Sequence, residues 1–173
     1  MMIFNWTQPI RVIFARMASG KTTFANKYDN VANIGHSEHK YLDYDRSLSE
    51  KNKGKFTQIN PNFERDFFAV FESEYNRGNL IVINVEKFAL DYLTERGIDF
   101  MFAYRDSWES IADLSRRRGN SDEFIEKKKK TYNDKMELMK NYDCVNLPIP
   151  DGKFLEDVLF EYEQNNKVNK NEQ

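Results

Sequence analysis

Residues 15–22 read Ala-Arg-Met-Ala-Ser-Gly-Lys-Thr and meet the pattern G-x-x-x-x-G-K-[ST] at every fixed position except the first, where Ala15 replaces glycine. Holding a triphosphate asks for this order of residues. Consecutive backbone N–H groups must converge on phosphate oxygens, and a helix amino terminus must add its positive end. A lysine must reach the β and γ phosphates, and a hydroxyl must meet Mg²⁺. The stretch Ala18, Ser19, Gly20, Lys21, Thr22 and Thr23 supplies these groups, so ATP and Mg²⁺ are the expected ligands. Lys21 would face the phosphates and Thr22 the metal. The first position tolerates Ala15 as long as its φ stays negative.

Two further clusters suit phosphoryl chemistry. Asp43 and Asp45 stand at i, i+2, so in a strand both carboxylates would face one side, Asp43 assisting the metal and Asp45 orienting an acceptor. A pair of solvated turn residues is the plainer reading. Arg116, Arg117 and Arg118 form a cationic step before Gly119, and arginine's fork fits phosphate oxygens. Consecutive helical residues point to different sides, so Arg118, then Arg116, is favoured over the whole run. Arg16, inside the loop, would face either nucleotide or solvent.

Other residues carry less. His36 and His39 lie in a polar stretch with no third ligand at suitable spacing for zinc. The run Lys127 to Lys130 has Asp122, Glu123 and Glu126 beside it and reads as a solvated helix face. Phe63, Phe67, Phe68, Phe71 and Tyr75 recur at spacings of three and four, a stripe expected to enter a core.

The elements that would position these groups alternate. Val12 to Ala15 reads as a buried strand and residues 22–28 as a helix; Tyr41 to Asp43 is a second strand candidate, after a polar segment from Asn33. A helix opened by Asn60-Pro61 ends at Gly78. Leu80 to Ile83 is an unbroken apolar, β-branched run expected at the centre of a sheet covered on both faces. A helix over 87–96, a strand over 99–104, a helical stretch over 107–142 broken near Gly119, a strand over 144–147 and a helix over 154–162 complete the series. The prediction is an α/β fold with about five parallel strands, its ligand at their carboxyl ends.

The chain's 173 residues suit one domain over 1–163, with an Asn/Lys-rich end over 164–173 expected to be a disordered tail. Lys plus Arg (26) nearly cancels Asp plus Glu (28), so nucleic acid is a less favoured partner. One cysteine, Cys144, forms no internal disulfide and fits a reducing compartment. The cytoplasm is the expected location, since no stretch approaches the ~20 apolar residues of a membrane span.

In several blocks the chain resembles small P-loop kinases commonly encoded by bacteriophages and often labelled nucleotide or adenylate kinases. The blocks are the loop at 15–22, Asp43-Tyr44-Asp45, Asn60 to Phe63, and the Arg-Gly-Asn segment over Arg118 to Ile125. Together they span roughly residues 10–160. The resemblance implies a three-layer α/β/α P-loop NTPase fold with a helical lid over about 106–142. It further implies that Arg116, Arg117 and Arg118 close on a transferring phosphoryl group, with a nucleoside monophosphate as acceptor and, if phage-encoded, the host cytoplasm as location. An Asp-x-Asp at this place also resembles shikimate-kinase-like enzymes and, with Arg46 following, polynucleotide kinases. Leu114 stands where that group has an earlier lid arginine, and Asn84-Val85-Glu86-Lys87 where it has a Ser/His segment. A 5′-hydroxyl polynucleotide or small-metabolite acceptor stays open with the same site, and Ala15, Leu114 and Asn84 keep open a nucleotide-binding regulatory or phage–host interaction protein without efficient transfer.

Overall fold

The computed structural model describes residues 2–35, 39–42 and 59–171. Five strands form one all-parallel sheet: β1 (Val12–Ala15), β2 (Val31–Ile34), β3 (Leu80–Ile83), β4 (Met101–Tyr104) and β5 (Val145–Pro148). Their spatial order is β2-β3-β1-β4-β5. Parallel neighbours need helical crossovers, and the named helices supply them: α1 (Lys21–Lys27), α2 (Phe63–Asn76), α3 (Lys87–Glu95), α4 (Trp108–Arg117), α5 (Asp122–Met139) and α6 (Leu155–Asn171). Among the described residues, no helix is long and apolar enough to cross a membrane.

Both faces of the sheet are covered, which explains why β1 and β3 are apolar without alternation. On one face Phe67 and Phe71 of α2, Leu90 and Leu93 of α3 and Met139 of α5 pack against Val12, Phe14, Ile81 and Ile83. On the other, Phe24 of α1 and Leu155 and Leu159 of α6 pack against Ile13, Val82, Met101 and Leu147. The aromatic stripe expected in the core is there: Phe67 and Phe71 are almost completely buried. β1, rather than β3, holds the centre, and so the loop that follows it opens at the middle of the carboxyl edge.

Two sequence expectations need correction. The second strand is Val31–Ile34; of the candidate Tyr41 to Asp43, the described Tyr41 and Leu42 belong to no named strand, and Asp43 lies outside the described residues. Among the described residues an edge strand paired to β3, it buries Val31 and Ile34 while Ala32 and Asn33 stay partly exposed, so it lacks the apolar run that marks an interior strand. Tyr41 instead makes an isolated antiparallel bridge with Ile59. The tail expected to be disordered from residue 164 continues α6 through Asn171. Its backbone is helical there, with Lys167 four residues from buried Glu163 and Asn166 Nδ2 donating to the Tyr162 carbonyl.

The break near Gly119 separates two helices, each started by a serine. Ser107 Oγ accepts from Ser110 N–H at the head of α4, and Ser121 Oγ from Phe124 N–H at the head of α5. Gly119 takes φ 86 in the turn between them.

Candidate phosphate site

The loop from Arg16 to Gly20 leaves the carboxyl end of β1 and enters α1. Ala15 is a fully buried strand residue opposite Ala103, with no positive φ, so its methyl belongs to the core and the loop proper begins after it. The left-handed residues are Ala18 (φ 58) and Gly20 (φ 84). Gly20 is also constrained by space. A β-carbon there would lie 3.0 Å from Phe154 Cδ1.

The loop's carbonyls are anchored away from its opening. Arg105 Nε donates to Ala18 O at 2.9 Å, and the Leu155 amide donates to Ser19 O at 2.8 Å. A trans peptide points its N–H opposite its C=O, so these two bonds turn the N–H groups of Ser19 and Gly20 the other way. Among the described residues, no carbonyl accepts from the amides of Met17, Ala18, Ser19 or Gly20. A cavity of about 340 Å³ lies over them, lined by Ala18 through Thr23 and by Arg118.

Its electrostatics are those of an anion site. Among the described residues, Arg16, Lys21, Arg105 and Arg118 make no ion pair with a carboxylate. Burial, joined by repulsion from Arg16 and Arg118, pushes the Lys21 ammonium down to about 8. Arg16 is buried, and its guanidinium lies 5.8 Å from the Tyr132 ring centre. Its Nε and Nη2 have no hydrogen-bond partner, nor has the Ser19 hydroxyl. Burial brings Arg16 down to about 10 even though Tyr132 and Glu86 pull the other way. Among the described residues no carboxylate pairs with it, so Arg16 adds to the positive field around Lys21.

Arg118, at the carboxyl end of α4, lines the cavity, whereas Arg116 bonds Asp113 and Asp122 on the surface. Arg117 borders a separate depression with Asp113 and Asp151. Thr22 and Thr23 are exposed at the cavity, and Asn33 Nδ2 lies 3.4 Å from Thr22 Oγ1. Asp43 and Asp45 lie outside the described residues. Among those described, no three His, Cys, Asp or Glu side chains gather as a metal cage.

Sequence reasoning missed Arg105 and the 153–155 segment. Arg105 is buried and donates three hydrogen bonds, to Ala18 O, Pro150 O (3.2 Å) and Lys153 O (2.7 Å). Its one signal was its position, directly after β4 at the sheet's carboxyl edge. Tyr132 was also missed. It donates from its hydroxyl to Arg105 O at 2.6 Å and sits beneath Arg16.

Comparison with protein-family models found no match, and comparison with curated proteins found no similar sequence.

Proposed function

We propose that the chain is a P-loop phosphotransferase that moves the γ-phosphoryl group of ATP to a nucleoside or deoxynucleoside monophosphate. The observation carrying this reading is the cavity over residues 18–23, where the carbonyls of Ala18 and Ser19 are turned away and, among the described residues, amide donors and the unpaired cations Lys21 and Arg118 line one space. Such a space suits a triphosphate. An acceptor oxygen would attack the γ-phosphorus in line as the β–γ bridging bond breaks, releasing ADP, with Asp45 as the candidate that takes the acceptor's proton. Lys21 and Arg118 would meet the charge spread over the transferring group. The donor set fits Mg²⁺ held through the ligand's own phosphates, because Thr22 offers a hydroxyl at the cavity and Mg²⁺ binds this way with few protein ligands. When bound, the ion would neutralise phosphate charge; Thr22, with Asp43 as the sequence candidate, would hold it.

The test is transfer from γ-labelled ATP to a panel of all ribo- and deoxynucleoside monophosphates plus a 5′-hydroxyl oligonucleotide, with Lys21→Ala alongside. Labelling of a monophosphate by the wild type and not by the variant is the expected result. Labelling of the oligonucleotide alone would move the acceptor to a polynucleotide end. ATP binding with no labelled product would leave a nucleotide-binding protein and remove the role given to Asp45.

A further inference from the structure

A second cavity adjoins the phosphate site. It measures about 180 Å³ and runs between Met17 and Ala18 of the loop, Trp108 and Ile111 of α4, and Phe124 and Ile125 of α5. Ala18 and Arg118 line both cavities. We propose that this space binds the nucleobase of a phosphorylated ligand whose phosphate lies against Arg118 and the loop. The inference rests on the reading of residues 18–23 as a phosphate site.

Four observations support a planar ring there. First, Trp108 and Phe124 line the cavity and are only half-buried. Aromatic side chains of this kind are what stack on bases of any sequence. Trp108 is braced from behind by Tyr132, the two ring centres being 5.4 Å apart. Second, the space is below the usual size for a whole ligand, roughly 300 Å³ and up, and so suits a ring rather than a complete nucleotide. Third, the shared wall at Ala18 and Arg118 demands a short link between ring and phosphate, the length a ribose 5′-phosphate provides. Fourth, the apolar walls carry a few polar groups. Asn120 Nδ2 donates to Ser115 Oγ at 3.0 Å, which fixes the amide and presents its oxygen as an acceptor, and Lys128 Nζ lies 5.2 Å from the Phe124 ring centre. In the aromatic stripe of α2, Phe67 and Phe71 are almost completely buried and half-buried Phe68 is already stacked on Tyr92, ring centres 3.7 Å apart.

A donor triphosphate and an acceptor monophosphate share this ring chemistry, and calorimetric titration separates them. The full chain is titrated with inorganic tripolyphosphate, with ATP, and, once saturated with tripolyphosphate, with each nucleoside monophosphate. Phe124→Leu and Trp108→Leu keep an apolar side chain and remove the ring; thermal unfolding checks their folding, and Phe124→Tyr restores the ring. The expected result is a loss of at least about 5-fold in affinity for ATP or for a monophosphate in both leucine variants. Tripolyphosphate affinity stays within about twofold, and Phe124→Tyr recovers the loss. Loss with ATP assigns the donor's base to the cavity, and loss with a monophosphate the acceptor's. Unchanged nucleotide affinity in folded variants that still bind tripolyphosphate would make the cavity a packing gap and leave the phosphate site intact. A wild-type chain that binds no tripolyphosphate would overturn the phosphate reading and the ring site with it.

Discussion

Lys21 is charged against its surroundings. With its ammonium held near 8 rather than 10.5, the folded chain sheds this proton while the unfolded chain keeps it, so stability rises with pH between those values. Lys21→Met should flatten that rise in denaturant melts taken across the window. A triphosphate bound as proposed would reverse the balance by restoring the proton. Affinity therefore falls as pH increases through about 8, with proton uptake visible by calorimetry in buffers of different ionisation enthalpy. At pH 7 the same variant should lose at least about 10-fold in triphosphate affinity, as expected when one charge-assisted contact is removed, without losing stability. Gly20→Ala meets two obstacles, a left-handed φ and Phe154 at 3.0 Å. It should destabilise by about 1–2 kcal/mol from the backbone alone. Adding Phe154→Ala should relieve the contact and leave that backbone share, a distinction a double-mutant cycle reads directly.

At the scale of elements, the loop is as rigid as its fasteners. Arg105 joins the end of β4 to the loop over residues 16–20 and to the turn before α6. Arg105→Ala leaves three carbonyls without that donor and should cost about 2–4 kcal/mol in denaturant melts, together with a fall in tripolyphosphate affinity. Arg105→Lys, a point charge in place of a fork, should recover little of either. These links explain how far the sequence was legible. Lys21 and Gly20 could be read because the chemistry is local: strand, turn and helix start lie within a dozen residues. Arg105 could not, because its partners are 45 to 87 residues away and no spacing rule links them. The interior strands β1, β3 and β4 declare themselves by unbroken apolar residues, while β2, half-exposed at an edge, hides among polar neighbours. Among the three consecutive arginines, helix geometry allowed a preference for Arg118, but only the folded turn at Gly119 sets it at the cavity and leaves Arg116 with Asp113 and Asp122.

At the scale of the molecule, the two ends of the chain are tied. Glu163 is almost completely buried on α6 and accepts from the Thr7 amide and hydroxyl and from Gln8 Nε2. Burial pushes its carboxyl up, yet these hydrogen bonds outweigh it and hold the group below its ordinary value. The stabilisation is therefore present above the ordinary glutamate value and lost as pH falls through the lower, folded one. Glu163→Gln should cost about 1–3 kcal/mol at pH 7, with the deficit shrinking in acid, as followed by denaturant titration. The bonds from Arg105 and the Leu155 amide to the loop have a consequence in time. A ribosome makes the lysine and threonines of the site well before the groups that shape the loop: Arg105 lies 87 residues beyond Ala18, and Leu155 lies further on still. A nascent chain thus carries these residues for some time before the loop can take its folded shape, which waits for Arg105 and Leu155 to be made.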